Sequence, residues 1–573
     1  ISLVAGSVLW LLRRAFAPLW LRLILSAVTA WLYTVAAGGG APVLRAAIGF
    51  TLALLAAAVF RRVRILNILA AVALGFLACD PDQLFEPSFQ LSFAAVAAIG
   101  ALAAPILDRT SSILREAAGG IGRVRPSPLI EPRVSSLRVE LRLLAETISL
   151  VTKMRPRLAT GLVGIGGRTV AVAVEMTILS AGIQFALMVP TIVYFHRVPI
   201  TGVAANLIAV PALNLAVGFG LSGLVAGSAT LSGIAGGLVE WAESVVAWFA
   251  RLEPAWRVAT PPLWLMVLFT SVLAVFAVAL RRKTKLALLP GLLSMMLATS
   301  MYVYEGGAGQ SGWLEVSTID VAQGDSLLVV FPDGKTMLVD GGGFPVFKGS
   351  TARRMDIGEQ VVSPYLWQRG LRHIDVVAMT HAHEDHAQGL NAVVKNFRPK
   401  QLWTGAVRGT NPLVMEARRA GVEIVQPQAG YSRQFGGATV RALAPSADYV
   451  PASSAKNNDS LVLEITYGQR RFVLTGDAER AVEWELVASG RLGPVDVLKV
   501  GHHGSKSSTT PEFMDLAKPK FAMISVGDGN LYGHPHPDVL SRLKDAHTQV
   551  FRTDRDGLTR FLTDGNRLVA ETK

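Results

Sequence analysis

What most constrains this chain is a break in hydropathy near Glu305. Apolar runs long enough to span a membrane crowd the residues before it, whereas those after it alternate in strand fashion and hold every histidine except His196. A helix needs roughly 20 apolar residues to cross the hydrocarbon layer of a bilayer. Such windows run over Leu19–Ala37, Val43–Phe60, Ile65–Cys79, Phe89–Leu107, Thr169–Phe195, Ile200–Leu224, Pro261–Leu280 and Leu286–Tyr304. The stretch from Thr230 to Ala250 carries Glu240 and Glu243, so either a span or an amphipathic helix at the interface fits it. With 51% hydrophobic and 17% charged residues, the 573-residue chain is too apolar for one water-soluble fold. The expectation is a polytopic α-helical membrane domain (1–304), a linker (305–312) and a soluble domain (313–573).

The formal net charge of +13 fits either cytoplasmic Lys and Arg flanking membrane helices or a surface for polyanions. The basic residues cluster as Arg13/Arg14/Arg22, Arg61/Arg62/Arg64, the Arg-rich segment 109–168 and Arg281/Arg282/Lys283/Lys285. Basic loops stay cytoplasmic. The clusters fall in alternate loops if the Ile200 and Thr230 segments each cross once, and the last helix then delivers the soluble domain to the extracytoplasmic side. Segment 109–168 is expected to be a cytoplasmic loop with a helix around Ser135–Val151. Gln90, Glu175, Gln184, Asn206 and Asn214 are polar residues inside spans, where they either line a pore or tie helices together. Of these, Gln90, Gln184 and Asn206 are the pore-lining candidates. Pro190 and Pro211 are expected to break helices at membrane depth. Cys79, the single cysteine, excludes an internal disulfide or a cysteine metal site. The chain opens on Ile1 within an apolar stretch, which suggests a shortened N-terminus.

From Trp313 the pattern changes to LEVSTIDV, SLLVVF, the turn Pro332-Asp333-Gly334, and TMLVDGG, a hairpin opening onto a Gly-rich turn. This is a common start for an α/β sandwich. The buried-strand run Ile374–Thr380 then leads directly into His381-Ala382-His383-Glu384-Asp385-His386. At a strand end, His381 and His383 point to one side and can grip one divalent ion. The turn into the next helix aims Asp385 and His386 at a second. Imidazole and carboxylate suit Zn or Mn, and two such ions can stabilise a phosphoryl or acyl transition state.

Further ligands are expected at other strand ends. Asp477 follows RRFVLTG and can bridge both ions, and one of His502 and His503, with His503 preferred, ligates metal while the other touches substrate. Near Asn457-Asn458-Asp459, where related hydrolases often supply a histidine, none is present, so Asn458, a neighbour or water fills that position. His534 in Tyr532-Gly533-His534-Pro535-His536 is placed to protonate a leaving group or bind phosphate. Lys499, Ser505, Lys506, Ser507 and Ser508 offer donors suited to phosphate. Asp385, His502 and His534 are the catalytic candidates.

Both halves together resemble the ComEC-type competence proteins, the inner-membrane channels for DNA uptake in naturally transformable bacteria. The membrane half carries the resemblance in LRA (Leu44–Ala46), PSFQLSFAAVAAIG (Pro87–Gly100) and the segment Ser180–Pro211. The soluble half carries it in DVAQGDS (Asp320–Ser326), LVDGGG, THAHEDHAQGL, NNDSLVLEI, LTGD, VLKVGHHGSKSS and NLYGHPHPDVL. Ala322 stands where that family usually has Gly, which stiffens a turn, and the family's N-terminal OB-like domain is missing here.

The resemblance implies a metallo-β-lactamase-like αββα domain with two divalent ions, Mn or Zn, held by His381, His383, Asp385, His386, Asp477 and His503. It implies that one DNA strand crosses the membrane while the other is degraded. Membrane lipid, a DNA receptor and a cytoplasmic motor are the implied partners. No Walker-type phosphate loop is present, so the driving force is expected from outside the chain. Two competing functions are an anchored metallo-hydrolase of an envelope phosphodiester or lactone, and a channel whose hydrolase-like domain only binds DNA.

Overall fold

The computed structural model describes residues 1–573 except 62–63, 123–130, 254–256, 283, 308, 344–354, 409, 452–453 and 573. Arg62 and Lys283 of the basic clusters, and part of segment 109–168, therefore lie outside the described residues. The chain forms two compact units: Ile1–Pro254 with Pro262–Tyr302, and Ala255–Pro261 with Val303–Lys573.

The first unit is all helical. Among the described residues six helices are long and apolar enough to cross a membrane: Leu19–Ala36, Ala41–Ala58, Pro87–Leu107, Pro156–Ala186, Gly202–Ala226 and Leu263–Arg281. Ile65–Cys79 and Leu288–Val303 are apolar but shorter, at 15 and 16 residues. At 1.5 Å per residue these two reach only about 24 Å, short of a typical hydrocarbon core. The expected span Thr169–Phe195 is instead two helices, Pro156–Ala186 and Met188–Phe195. Pro190 causes the break, since its ring excludes the carbonyl of Ala186 and it offers no N–H. Pro211 behaves otherwise, sitting within the uninterrupted helix Gly202–Ala226. Segment 109–168 is largely helical, with Ser111–Gly119, Pro132–Thr152 and the start of Pro156–Ala186.

Polar groups in this unit bind one another, as expected where water is scarce. Gln90 Nε2 donates to Leu84 O at 2.9 Å, and its Oε1 accepts from Tyr194 Oη at 3.1 Å. The Gln184 amide, oriented to satisfy both its ends, donates to Pro199 O and accepts from Val203 N, each at 3.2 Å. Both glutamines thus tie helices and loops together. Glu175 pairs with Arg115 at 3.2 Å, Asn206 is half-buried and Asn214 is exposed. Arg45, in the LRA motif, is buried; its Nη2 donates to Ser88 O at 2.8 Å, and its guanidinium lies within 6.0 Å of the Phe76, Phe89 and Phe93 ring centres.

The second unit is a sandwich of two sheets. The strands run β1 (Leu314–Thr318), β2 (Leu327–Val330), β3 (Thr336–Val339), β4 (Val376–Met379), β5 (Gln401–Thr404), β6 (Glu423–Val425), β7 (Ser432–Phe435) and β8 (Ala438–Ala444). They continue through β9 (Val462–Tyr467), β10 (Arg470–Leu474), β11 (Val497–Lys499), β12 (Phe521–Ile524), β13 (Gln549–Arg552), β14 (Thr559–Thr563) and β15 (Leu568–Thr572). One sheet has the order β15-β14-β1-β2-β3-β4-β5-β6 and the other β13-β12-β11-β10-β9-β8-β7. The expected hairpin is β2–β3, antiparallel with Val330 opposite Thr336.

Alternation along each strand divides its side chains between two cores. Val316, Val329, Val339 and Trp403 of one sheet meet Val440, Leu463, Phe472 and Val497 of the other between the sheets. The opposite faces pack under helices, through residues such as Leu338, Val377, Leu390 and Phe397 on one side and Val473, Leu498, Leu486 and Phe513 on the other. Truncating a leucine in such a core to alanine costs about 2–5 kcal/mol.

This unit is wider than 313–573. Gly306 N donates to Gly370 O at 3.1 Å, so part of the expected linker is integrated. A segment far upstream belongs to it too. Val258 and Ala259 are buried, Thr260 N donates to Trp367 O at 3.1 Å, and Arg257 Nη2 lies 2.6 Å from Glu359 Oε1.

Candidate metal centre

The centre lies where β3, β4, β10 and β11 end. After β4, Thr380 leads into His381, and the turn that follows carries His383, Asp385 and His386 into the helix Glu384–Ala387. That turn is held against the Gly-rich segment after β3. A Cβ built on Gly389 would lie 2.0 Å from Gly341 O, so only glycine permits the approach. After β10, Gly476 adopts φ +54° and a Cβ there would lie 2.8 Å from Thr380 Cβ, which seats Asp477 against the histidine cluster. After β11 the Gly501–Gly504 turn places His502 and His503 both at positive φ, 46° and 52°. Non-glycine residues in that region cost of order 1 kcal/mol or more each, a strain found at functional sites.

Four side chains converge. One ligand atom each from Asp385, His386, Asp477 and His503 all lie within 4.8 Å of one another. Asp477 Oδ2 is 3.3 Å from His386 Nε2, and His503 Nε2 is 3.6 Å from Asp477 Oδ1 and 3.5 Å from Asp385 Oδ2. His386 Nε2, His503 Nε2 and Asp477 Oδ1 are buried and, among the described residues, have no aligned hydrogen-bond partner. Buried polar atoms of this kind are costly unless something binds them, and a divalent cation fits this donor set. His381 Nε2 lies 3.0 Å from His383 Nδ1 and 3.8 Å from Asp477 Oδ2, so this pair borders the group through Asp477.

Carboxylates behind the centre orient its histidines. Asp340, absent from the residues singled out in the sequence, accepts from Thr380 N at 2.7 Å and Oγ1 at 2.6 Å, and meets His386 Nδ1 at 2.8 Å. The Nδ1 proton directed at Asp340 leaves Nε2 free for a cation. Asp325, likewise unforeseen, is fully buried, 3.4 Å from His503 Nδ1 and 2.6 Å from Lys499 Nζ. Burial alone would raise the Asp325 pKa, but Lys499 and the histidines overrule it and hold the carboxyl well below its ordinary value. For His503, burial is outweighed by Asp477 and Asp325, and its pKa rises to about 10. Asp385 is held at about 2 despite burial, chiefly by His503. Asp340 lies just past an apolar strand, as Asp477 does, and that shared placement was the available signal for it, whereas Asp325 precedes its strand.

Lys499 is therefore not a substrate contact. Its ammonium is completely buried and turned to Asp325, donating to Val500 O at 2.9 Å as well. Asn458 does not face the cluster either; its Oδ1 accepts from Glu479 N at 3.0 Å. The neighbouring Asn457 and Glu479 instead contact His502, whose Nδ1 lies 3.1 Å from Glu479 Oε1. His502 is half-buried and opens, with His534, Tyr532, His383 and Asp385, onto a cavity of about 440 Å³. Burial and then the nearby His502 and His503 lower the His534 pKa to about 4. Ser507 Oγ donates to Glu479 Oε1 at 2.8 Å, Ser508 is buried under the turn, and Lys506 is exposed.

Comparison with known proteins agrees with this architecture. Residues 1–283 match the family described as Competence protein, and residues 319–449 and 450–528 match the Metallo-beta-lactamase superfamily. A competence-protein membrane domain is joined here to a metallo-β-lactamase hydrolase domain. The competence domain and its partner are similar to ComE operon protein 3 of Bacillus subtilis, 31% identical over 68% of this chain and 51% of that one. Competence protein ComA of Neisseria gonorrhoeae is 28% identical over 64% of this chain and 48% of its own. Recombination protein 2 of Haemophilus influenzae is 31% identical over 43% and 28% respectively. The chain thus spans at most about half the length of these relatives. The competence domain makes the protein a multi-pass membrane protein, and the superfamily of its hydrolase domain is one that binds divalent metal.

Proposed function

We propose that the chain is an inner-membrane channel for DNA uptake, in which a single strand passes through the competence domain and the metallo-β-lactamase domain hydrolyses the strand left outside. The observation that carries the enzymatic part is the convergence of Asp385, His386, Asp477 and His503, with buried donor atoms lacking partners, beside an open cavity. Bound divalent cations, Mn or Zn, would supply Lewis acidity and charge neutralisation for a phosphodiester. Asp385, His386, Asp477 and His503 would hold the cations, with His381 and His383 bordering them through Asp477. His502, fixed through Nδ1 by Glu479, presents Nε2 to the cavity for proton transfer, and His534 faces the same space as a neutral donor.

The basic loops support an extracytoplasmic hydrolase domain. A DNA receptor outside and a motor inside complete the proposed assembly. The purified full chain with Mn²⁺ or Zn²⁺ is expected to cleave DNA, and Asp385→Ala to abolish cleavage. A metal-loaded chain that leaves DNA intact while hydrolysing another phosphodiester would refute the nuclease.

A further inference from the structure

Beside the metal centre lies a second groove that the proposed hydrolysis does not use. It is a cavity of about 670 Å³ bordered by Asn458, Arg480, Trp484, Ser505, Lys506 and Ser507. Trp484 is 54% exposed on the helix Arg480–Ala488, which buries Val482, Glu483 and Leu486 on its other side. Arg480, also exposed, precedes Trp484 by four residues and shares its helix face. Lys506 is 70% exposed, 3.3 Å from the exposed Asp538, a pairing worth little in water. A run of polar contacts joins this groove to the metal centre. Ser505 Oγ meets Ser507 Oγ at 3.0 Å, Ser507 meets Glu479, Glu479 meets His502, and His502 Nε2 is 4.0 Å from Asp477 Oδ2.

We propose that this groove holds one unpaired nucleotide of a DNA single strand next to the phosphodiester being cut, its base stacked on Trp484 and its phosphate held by Arg480 and Lys506. The assignment rests on the nuclease reading above. An exposed aromatic flanked by two cations is the sequence-tolerant way to hold single-stranded nucleic acid, since every base has a π-face and every nucleotide a phosphate. Duplex DNA keeps those faces covered by neighbouring pairs, so the platform selects an unpaired end. Arg480 and Lys506 offer cations to the backbone beside the Glu479 carboxylate, and the polar run through Glu479 joins the groove to the metal centre.

The test uses the full chain in detergent with EDTA, which stops hydrolysis, and a single-stranded oligonucleotide bearing one 5-iodouracil. Ultraviolet light is expected to cross-link that base to the peptide containing Trp484. Trp484→Leu should remove the adduct and weaken binding about tenfold, the scale of one lost base–aromatic stack. An abasic oligonucleotide should bind wild type and Trp484→Leu alike. Replacing Arg480 and Lys506 together with alanine should weaken both oligonucleotides and flatten their salt dependence. Adducts found only on other peptides, or an unchanged affinity of Trp484→Leu for the normal strand, overturn the groove. Adding Mn²⁺ separates the two readings: cross-linking at Trp484 without cleavage keeps the groove and removes the nuclease, and cleavage with no Trp484 adduct does the reverse.

Discussion

Lys499 and Asp325 form an ion pair whose two members are both completely buried. Removing one partner of such a pair leaves an uncompensated charge in a dry interior and typically costs about 3–5 kcal/mol, whereas removing both costs less. Lys499→Met is therefore expected to lower the thermal stability of the metal-free protein sharply, and adding Asp325→Asn to restore part of the loss; equal unfolding temperatures for wild type and Lys499→Met would contradict this. A second buried charge, Glu315, sits between Arg369 and Arg560, at 2.6 and 3.0 Å. Burial alone would raise its pKa, but the two guanidiniums overrule it and hold the carboxyl at about 2. Because the folded-state value lies below the unfolded one of 4.5, the stabilisation is complete above pH 4.5 and is lost as pH falls towards 2. It amounts to on the order of 3 kcal/mol at neutral pH. Denaturant titrations of wild type and Glu315→Gln should thus lie furthest apart at pH 6 and draw together only as the pH falls to about 2.

At the scale of elements, the centre depends on turns more than on strands. The β10 turn holds Asp477 in place because Gly476 tolerates φ +54° with Thr380 close behind it. Gly476→Ala should weaken zinc binding at least tenfold in a titration while leaving the far-ultraviolet circular dichroism unchanged. Unaltered affinity would show that the turn does not set the ligand geometry. The strands, the hairpin β2–β3 and the strand-end positions of His381, Asp477 and His503 were legible in the sequence, since alternation and Gly-rich stops are local signals. The partners of Asp325 and Asp340 were not, because they come from strands far apart in the chain. Lys499 misled for a related reason. A lysine beside a histidine pair looks like a phosphate ligand until the fold shows that its side chain points inward. Ala322, where the family usually has glycine, adopts φ +59°, the left-handed region that glycine enters most easily.

At the scale of the whole molecule, the hydrolase unit draws on the chain twice, at Ala255–Pro261 and again from Val303. Both segments must lie on one side of a membrane, so the stretch between them crosses an even number of times. That stretch holds the helices Leu263–Arg281 and Leu288–Val303, joined by the basic residues Arg281 and Arg282. On the proposed topology, with this joint in the cytoplasm, the hydrolase unit would lie outside whatever the Thr230 segment does. An alkaline phosphatase fusion after Lys573 is expected to be active, and a cytoplasmic signal there would reverse the proposed topology.

The same feature sets an order of events during synthesis. Arg257 leaves the ribosome about a hundred residues ahead of Glu359, its ion-pair partner, and Thr260 a similar distance ahead of Trp367. On the proposed topology the short upstream segment waits on the far side of the membrane while two more helices are inserted. It becomes a clasp only when the later strands arrive, so the hydrolase unit closes only on a chain whose last helical pair has already been threaded.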